Sequence, residues 1–221
     1  MIPCPRPIRV ALLACASVLA ACGFGGAPAP SARPAPDSQA GDTLRNALIP
    51  AGYGTLRQDE ISVRLQLPSV QVRAIPLDES VIRVLSPDSY RALHELVQGR
   101  RGEINALAAR RGVRSPSLWY VSFFGLEPES RFDPQAIVIN AGGRDYHPLE
   151  VVPLTTGFNS QRIRSRETQS AIYLFDEGVD VNQSLVVSMD TVRSASWSGT
   201  LRAIERERAL VRSRAARGTR Q

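Results

Sequence analysis

The feature that most narrows the fold is a run of apolar residues at alternate positions, Ile61, Val63, Leu65 and Leu67, with Arg64 and Gln66 between them. Successive side chains on a strand point to opposite faces, so this spacing predicts a strand with one face buried and one wet. Pro68 ends it, because proline cannot donate to a ladder. Val70 and Val72, then Val81, Ile82 and Val84, predict one or two further strands broken near Pro76. From Leu118 to Phe124 apolar groups fall on both faces, which predicts a central strand covered on each side, with Trp119, Tyr120, Phe123 and Phe124 in the core. Ala136 to Ile139, Tyr146 to Leu154, Ala171 to Phe175 and Leu185 to Met189 add more strands. They are separated by turn chemistry at 140–143, 156–159 and 176–178.

One helical stretch interrupts the strands. Ser86 offers a capping hydroxyl, Pro87 suits the first helical position, and Asp88 complements the positive end of the helix dipole. Tyr90, Leu93, Val97, Ile104 and Leu107 then follow one helical face, with a weak point expected at Gly99-Arg100-Arg101-Gly102. These patterns predict an α+β, mainly β protein: an antiparallel immunoglobulin-like β-sandwich with a helical insertion at about 87–111 and a C-terminal helix. The sandwich domain spans 42–200, long enough to bury a sizeable core. Residues 201–221 hold seven arginines against Glu205 and Glu207 and form a basic helix or tail. Leu201, Ile204 and Val211 share one side of its wheel, but Arg208 falls in the same stripe, so fraying is expected after about Arg212. Trp197 is placed to pack this helix back on the body.

The start of the chain has a different composition. Arg6 and Arg9 precede an apolar stretch from Val10 to Ala21, and small residues close it, the order of a secretory signal. Leu19, Ala20, Ala21 and Cys22 resemble the lipobox of bacterial lipoproteins. That resemblance implies that residues 1–21 are a signal peptide cut before Cys22, whose thiol carries a diacylglyceryl group and whose amine is acylated, commonly with palmitate. Gly23 rather than Asp after the cysteine implies the outer membrane, on its periplasmic or surface face, in a cell that has one. Cys4 and Cys15 would leave with the signal, so the mature chain would hold no disulfide and no reactive thiol. Residues 22–41 form a Pro, Ala and Gly-rich linker that cannot bury enough apolar surface to order itself. Its reach runs from about 25 Å as a coil to about 60 Å in polyproline form.

Chemistry-bearing patterns are sparse. All 27 basic residues are arginine, which excludes a lysine base or Schiff base. No nucleophile, base and orienter set has a recognisable spacing, so the sequence reads as a non-enzyme needing no cofactor. His94 and His147 stand in no metal-ligand repeat and read as ordinary histidines. Asp176, Glu177, Asp180 and Asn182 cluster oxygens, but lack the alternation of a calcium loop and read as a turn. The most suggestive feature is Arg162, Arg164 and Arg166. At period two on a strand they would share one face, with planar forks suited to phosphate or carboxylate. The competing reading is a solvated edge kept from aggregating by like charge, balanced by Glu150 or Glu167. The basic tail poses the same choice between an anion-binding element and a solvated helix end.

The expected function is therefore that of a lipid-anchored envelope lipoprotein acting as a binding or scaffolding module. Its partners would be the membrane, through acylated Cys22, and an envelope protein, glycan or anionic lipid. Nucleic acid is a poor fit, because no aromatic residues interleave with the arginines. The alternative is an enzyme or small-ligand binder with a site assembled around His147 from Arg144, Asp145 and Glu150.

Overall fold

The computed structural model describes residues 49–218; the expected signal peptide, Cys22 and the expected linker lie outside them. The described chain is mixed α+β and mainly antiparallel sheet. The larger sheet has five strands, β1 (Val63–Gln66), β2 (Val70–Pro76), β3 (Ser117–Gly125), β9 (Thr168–Phe175) and β7 (Glu150–Pro153), in the order β1-β2-β3-β9-β7. The smaller has four, in the order β11 (Val192–Ser194), β10 (Leu185–Met189), β5 (Ile137–Ala141) and β6 (Arg144–Tyr146). A two-stranded ribbon joins β4 (Ser130–Arg131) to β8 (Arg162–Ile163). The sheets remain open and do not close on each other.

The strand with apolar groups on both faces sits where its pattern requires. In β3, Trp119 lies opposite Tyr173, and Val121 opposite both Ala74 and Ala171, so one face of the sheet is continuous and buried. On the other face Tyr120 stands between Ile75 and Ile172. Residues of both sheets, among them Val72, Phe123, Ile139 and Val187, belong to one apolar core. The expected strand from Tyr146 to Leu154 is divided: Tyr146 ends β6 in the smaller sheet, and Glu150 opens β7 in the larger. Pro148 lies between them and supplies no amide to carry one ladder across.

Two local expectations are overturned. Val81 and Ile82 lie not in a strand but in a short helix, α1 (Glu79–Ile82). Asp78 caps it by accepting from the Ser80 amide at 2.8 Å, and Val81, Ile82, Val84 and Leu85 are all buried. Consecutive apolar residues suit a one-turn helix enclosed on all sides as well as they suit a buried strand.

The second concerns the glycines in the helical stretch. Residues 87–110 form a single unbroken helix, α2 (Pro87–Arg110), through Gly99 and Gly102. Its buried stripe of Leu93, Ile104, Leu107 and Ala108 holds the two halves in register, and that packing outweighs a glycine cost of about 1 kcal/mol each. Both glycines are exposed, and a Cβ at either would meet nothing within 4 Å. Gly99→Ala with Gly102→Ala should therefore raise the melting temperature by roughly 4 °C, measured by circular dichroism. No change, or a loss, would mean the helix is not continuous there.

The C-terminal stretch is a docked helix rather than a loose tail. α3 (Trp197–Gly218) starts four residues earlier than expected and continues beyond Arg212. Trp197 is fully buried, its indole donating to the Val181 carbonyl at 3.0 Å and its ring 6.1 Å from that of Trp119. Ile204 and Val211 are buried further along. Arg208, which weakened the apolar stripe on paper, is the residue that fastens it. Its guanidinium donates to the Ser80 carbonyl at 2.9 Å and to Asn182 Oδ1 at 2.8 Å.

Candidate functional site: an arginine groove over the β4–β8 ribbon

The ribbon owes its position to an alternation too short to see in sequence. Phe132 and Ile163 turn inward while their neighbours Arg131 and Arg162 stay exposed. Phe132 stacks on Phe123 at 4.2 Å and meets Phe158 edge-on at 5.2 Å, so a three-phenylalanine cluster seats the ribbon on the core. Ser130 Oγ donates to the Ser69 carbonyl at 2.7 Å and fixes the strand's start.

Arg131 and Arg162 lie directly opposite each other in the ladder, a placement that like charges ordinarily disfavour. Together with Arg164 they line a groove of about 490 Å³. None of the three guanidiniums has a hydrogen-bond or ion-pair partner among the described residues.

The floor of the groove is polar and ordered. Gln169 is only 3% exposed. Its Oε1 accepts from Thr155 Oγ1, and its Nε2 donates to Glu167 Oε1 at 2.6 Å. The other Glu167 oxygen accepts from the Arg164 amide at 3.1 Å, so this carboxylate is held in a fixed orientation at the groove wall. Gly157 faces the buried amide, and a Cβ there would come within 2.5 Å of Gln169 Nε2. Glu129, exposed, completes the charged lining.

The expected three-arginine stripe is thus only partly assembled. β8 stops at Ile163, and the chain turns across the end of β3. There Gly125 donates to the Glu167 carbonyl at 3.0 Å and accepts from the Arg166 amide at 2.9 Å. The approach is close enough that a Cβ on Gly125 would lie 2.3 Å from the Arg164 carbonyl oxygen. Arg166 takes a left-handed φ of 64° in this turn and leaves the groove. Arg131, from a segment 31 positions before Arg162, takes the third place. No signal in the sequence marks it, because pairing of two-residue strands leaves no periodicity. Of the two acids offered as balancing charges, Glu167 lines the groove, whereas Glu150 pairs with Arg111 at 2.8 Å.

The remaining sequence candidates fall elsewhere. His147 is exposed, Asp145 accepts from Asn140 at 2.7 Å, and Arg144 lies over the Tyr146 ring at 5.0 Å. With Glu150 bound to Arg111, the three residues offered around His147 each have a separate partner. The oxygens of the 176–182 turn cap local amides: Asp176 receives Gly178 N, and Asp180 receives Asn182 N and Gln183 Nε2. Among the described residues no group of three or more His, Cys, Asp or Glu is placed to hold a metal ion.

His94 stands in a network that its sequence context did not announce. Its Nδ1 lies 2.7 Å from Glu79 Oε1 and its ring stacks on Tyr90. Arg83 Nε donates to the other Glu79 oxygen, also at 2.7 Å. Burial disfavours the charged carboxylate, yet the hydrogen bonds from Arg83 and His94 outweigh it and hold Glu79 below the usual carboxylate range. The network brackets α1 to α2.

Among the described residues no helix is long and apolar enough to cross a membrane. No protein-family model, no curated protein and no solved structure matches this chain.

Proposed function

We propose that the chain is an envelope lipoprotein, anchored through acylated Cys22, whose folded body works by binding an envelope component rather than by making or breaking bonds. The anchor rests on Leu19-Ala20-Ala21-Cys22 at the end of an apolar segment of signal-peptide length. The binding role rests above all on one observation: Arg131, Arg162 and Arg164 share a groove and have no partner within the described residues. Guanidiniums that line one groove without an internal ion pair are free to take an external oxyanion, which their planar forks can grip with paired hydrogen bonds. On this reading the anion site comprises Arg162 and Arg164, with Arg131 in place of Arg166. The same reading takes the two sheets as layers of an immunoglobulin-like sandwich, supported by the single core that they share. The linker then lets the groove stand off the lipid surface.

Labelled palmitate should enter the wild-type protein and fail to enter Cys22→Ala, which should fractionate away from membranes. Equal labelling of the variant would overturn the anchor.

A further inference from the structure

The groove carries two carboxylates as well as three guanidiniums, and this bears on what it can accept. A simple anion drawn to Arg131, Arg162 and Arg164 would also face Glu129 and the fixed carboxylate of Glu167. The Glu167 oxygens each accept one hydrogen bond from the protein, at 2.6 Å and 3.1 Å, and each retains a lone pair. Glu167 is anchored in place by a neutral amide and a backbone N–H, not neutralised by a cation. The arginines beside it are likewise unneutralised. Charges of both signs line one groove without an internal ion pair, and of them Glu167 is fixed by hydrogen bonds, which makes the lining complementary to a ligand that carries both signs.

Resting on the reading that this groove binds an anion, we propose that its ligand is zwitterionic: a phosphate gripped by the arginines and, one short linker away, a primary ammonium that donates to Glu167. Phosphoethanolamine is the smallest group with that chemistry. The three guanidiniums offer enough donors for several phosphate oxygens, and an –NH3+ group supplies donors that a quaternary ammonium lacks. Discrimination between these headgroups then depends on Glu167, while affinity for the anion depends on the arginines.

Titration calorimetry on the full chain with O-phosphoethanolamine, phosphocholine and inorganic phosphate tests this. Phosphoethanolamine should bind at least tenfold more tightly than either of the others. Glu167→Gln, which keeps the side-chain shape, should bring phosphoethanolamine to within about threefold of phosphate. Arg162→Ala, a change at an exposed position that does not threaten the fold, should weaken both by tenfold or more. Melting curves of each variant confirm that the body stays folded. Equal affinity for phosphoethanolamine and phosphate in the wild type, or a preference that survives Glu167→Gln, overturns the zwitterion proposal and leaves the anion groove standing. Failure of all three compounds to bind overturns the groove itself. Displacement of bound phosphoethanolamine by bicelles containing its diacyl lipid supports the proposal with a membrane headgroup as carrier. Retention of the bound compound under those conditions supports it with a water-soluble carrier.

Discussion

Trp197→Ala should lower the melting temperature by roughly 10 °C or more, the largest loss expected from any single change in α3. Truncating a buried Trp costs about 3–5 kcal/mol, and in a chain of this size each kcal/mol moves the midpoint by about 2–4 °C. Trp197 has both parts of that cost. Its ring is wholly buried against Trp119, and its N–H satisfies the Val181 carbonyl at 3.0 Å. It is also the first residue of α3, so the cavity opens where the helix leaves the sheet. Trp197→Phe separates the two effects, because it keeps most of the ring volume and drops the donor. It should cost about 1–2 kcal/mol, with the Val181 carbonyl left unpaired. Thermal denaturation followed at 222 nm distinguishes the variants. A Trp197→Ala midpoint within 2 °C of wild type would mean that the helix is not anchored through this residue.

The role of Trp197 is legible in the sequence, and so is much of the sheet. The both-faced pattern from Leu118 to Phe124 placed β3 in the middle, and Leu185 to Met189 marked β10 at both ends. Burial on both faces of a strand leaves a composition signal that survives without tertiary knowledge. Elsewhere the deciding interaction was long-range. Val81 and Ile82 are apolar enough for strand or helix, and the Asp78 cap together with burial on every side selects the helix. The glycines at 99 and 102 weaken a helix locally, but the stripe from Leu93 to Ala108 is set by what it packs on. Arg208 spoils an amphipathic pattern if the rest of the protein is ignored. It is instead half-buried between Ser80 and Asn182, the first of them 128 positions away.

The groove shows the same limit at the level of function. Arg162 and Arg164 stood out by spacing, and both line it. Period-two spacing brings Arg166 to the same face only if the strand continues, and β8 ends at Ile163. Gly125, on another strand, captures the backbone at 166 and 167 and turns it away. The contribution of Arg131 and the fixed orientation of Glu167 come from a cross-strand pair and from a buried amide on β9. Neither leaves a trace within a window of neighbouring residues.

A second large effect should appear at the clasp where α3 meets the start of the described chain, and it should depend on pH. Glu207 is 5% exposed, and its Oε1 accepts from the Thr55 amide at 3.0 Å, from Thr55 Oγ1 at 2.9 Å and from Arg214 Nη1 at 2.6 Å. Arg214 also donates to the Tyr53 carbonyl at 2.8 Å, so one carboxylate ties both ends of the described chain together. Burial opposes the charge on Glu207, but the bonds from Arg214 and Thr55 outweigh it and set the carboxyl below its ordinary range. A carboxyl depressed in the folded state contributes stability that is complete above its unfolded value of about 4.3, and that is lost as the pH falls through the native value. Glu207→Gln removes the charge, places an amide beside Arg214, and should cost about 2 kcal/mol at pH 7, where charge-assisted bonds contribute most. Below about pH 4.3 the unfolded wild-type carboxyl takes up a proton that the native one still resists, so the gap between wild type and variant should shrink as the pH falls further. Glu79, depressed by Arg83 and His94 in the same way, adds its own acid sensitivity to both proteins and leaves that difference unaffected. Melting temperatures of the two proteins at pH 7, 5, 4 and 3 measure the gap. A difference that stays constant across the series would show that Glu207 contributes shape and packing rather than charge.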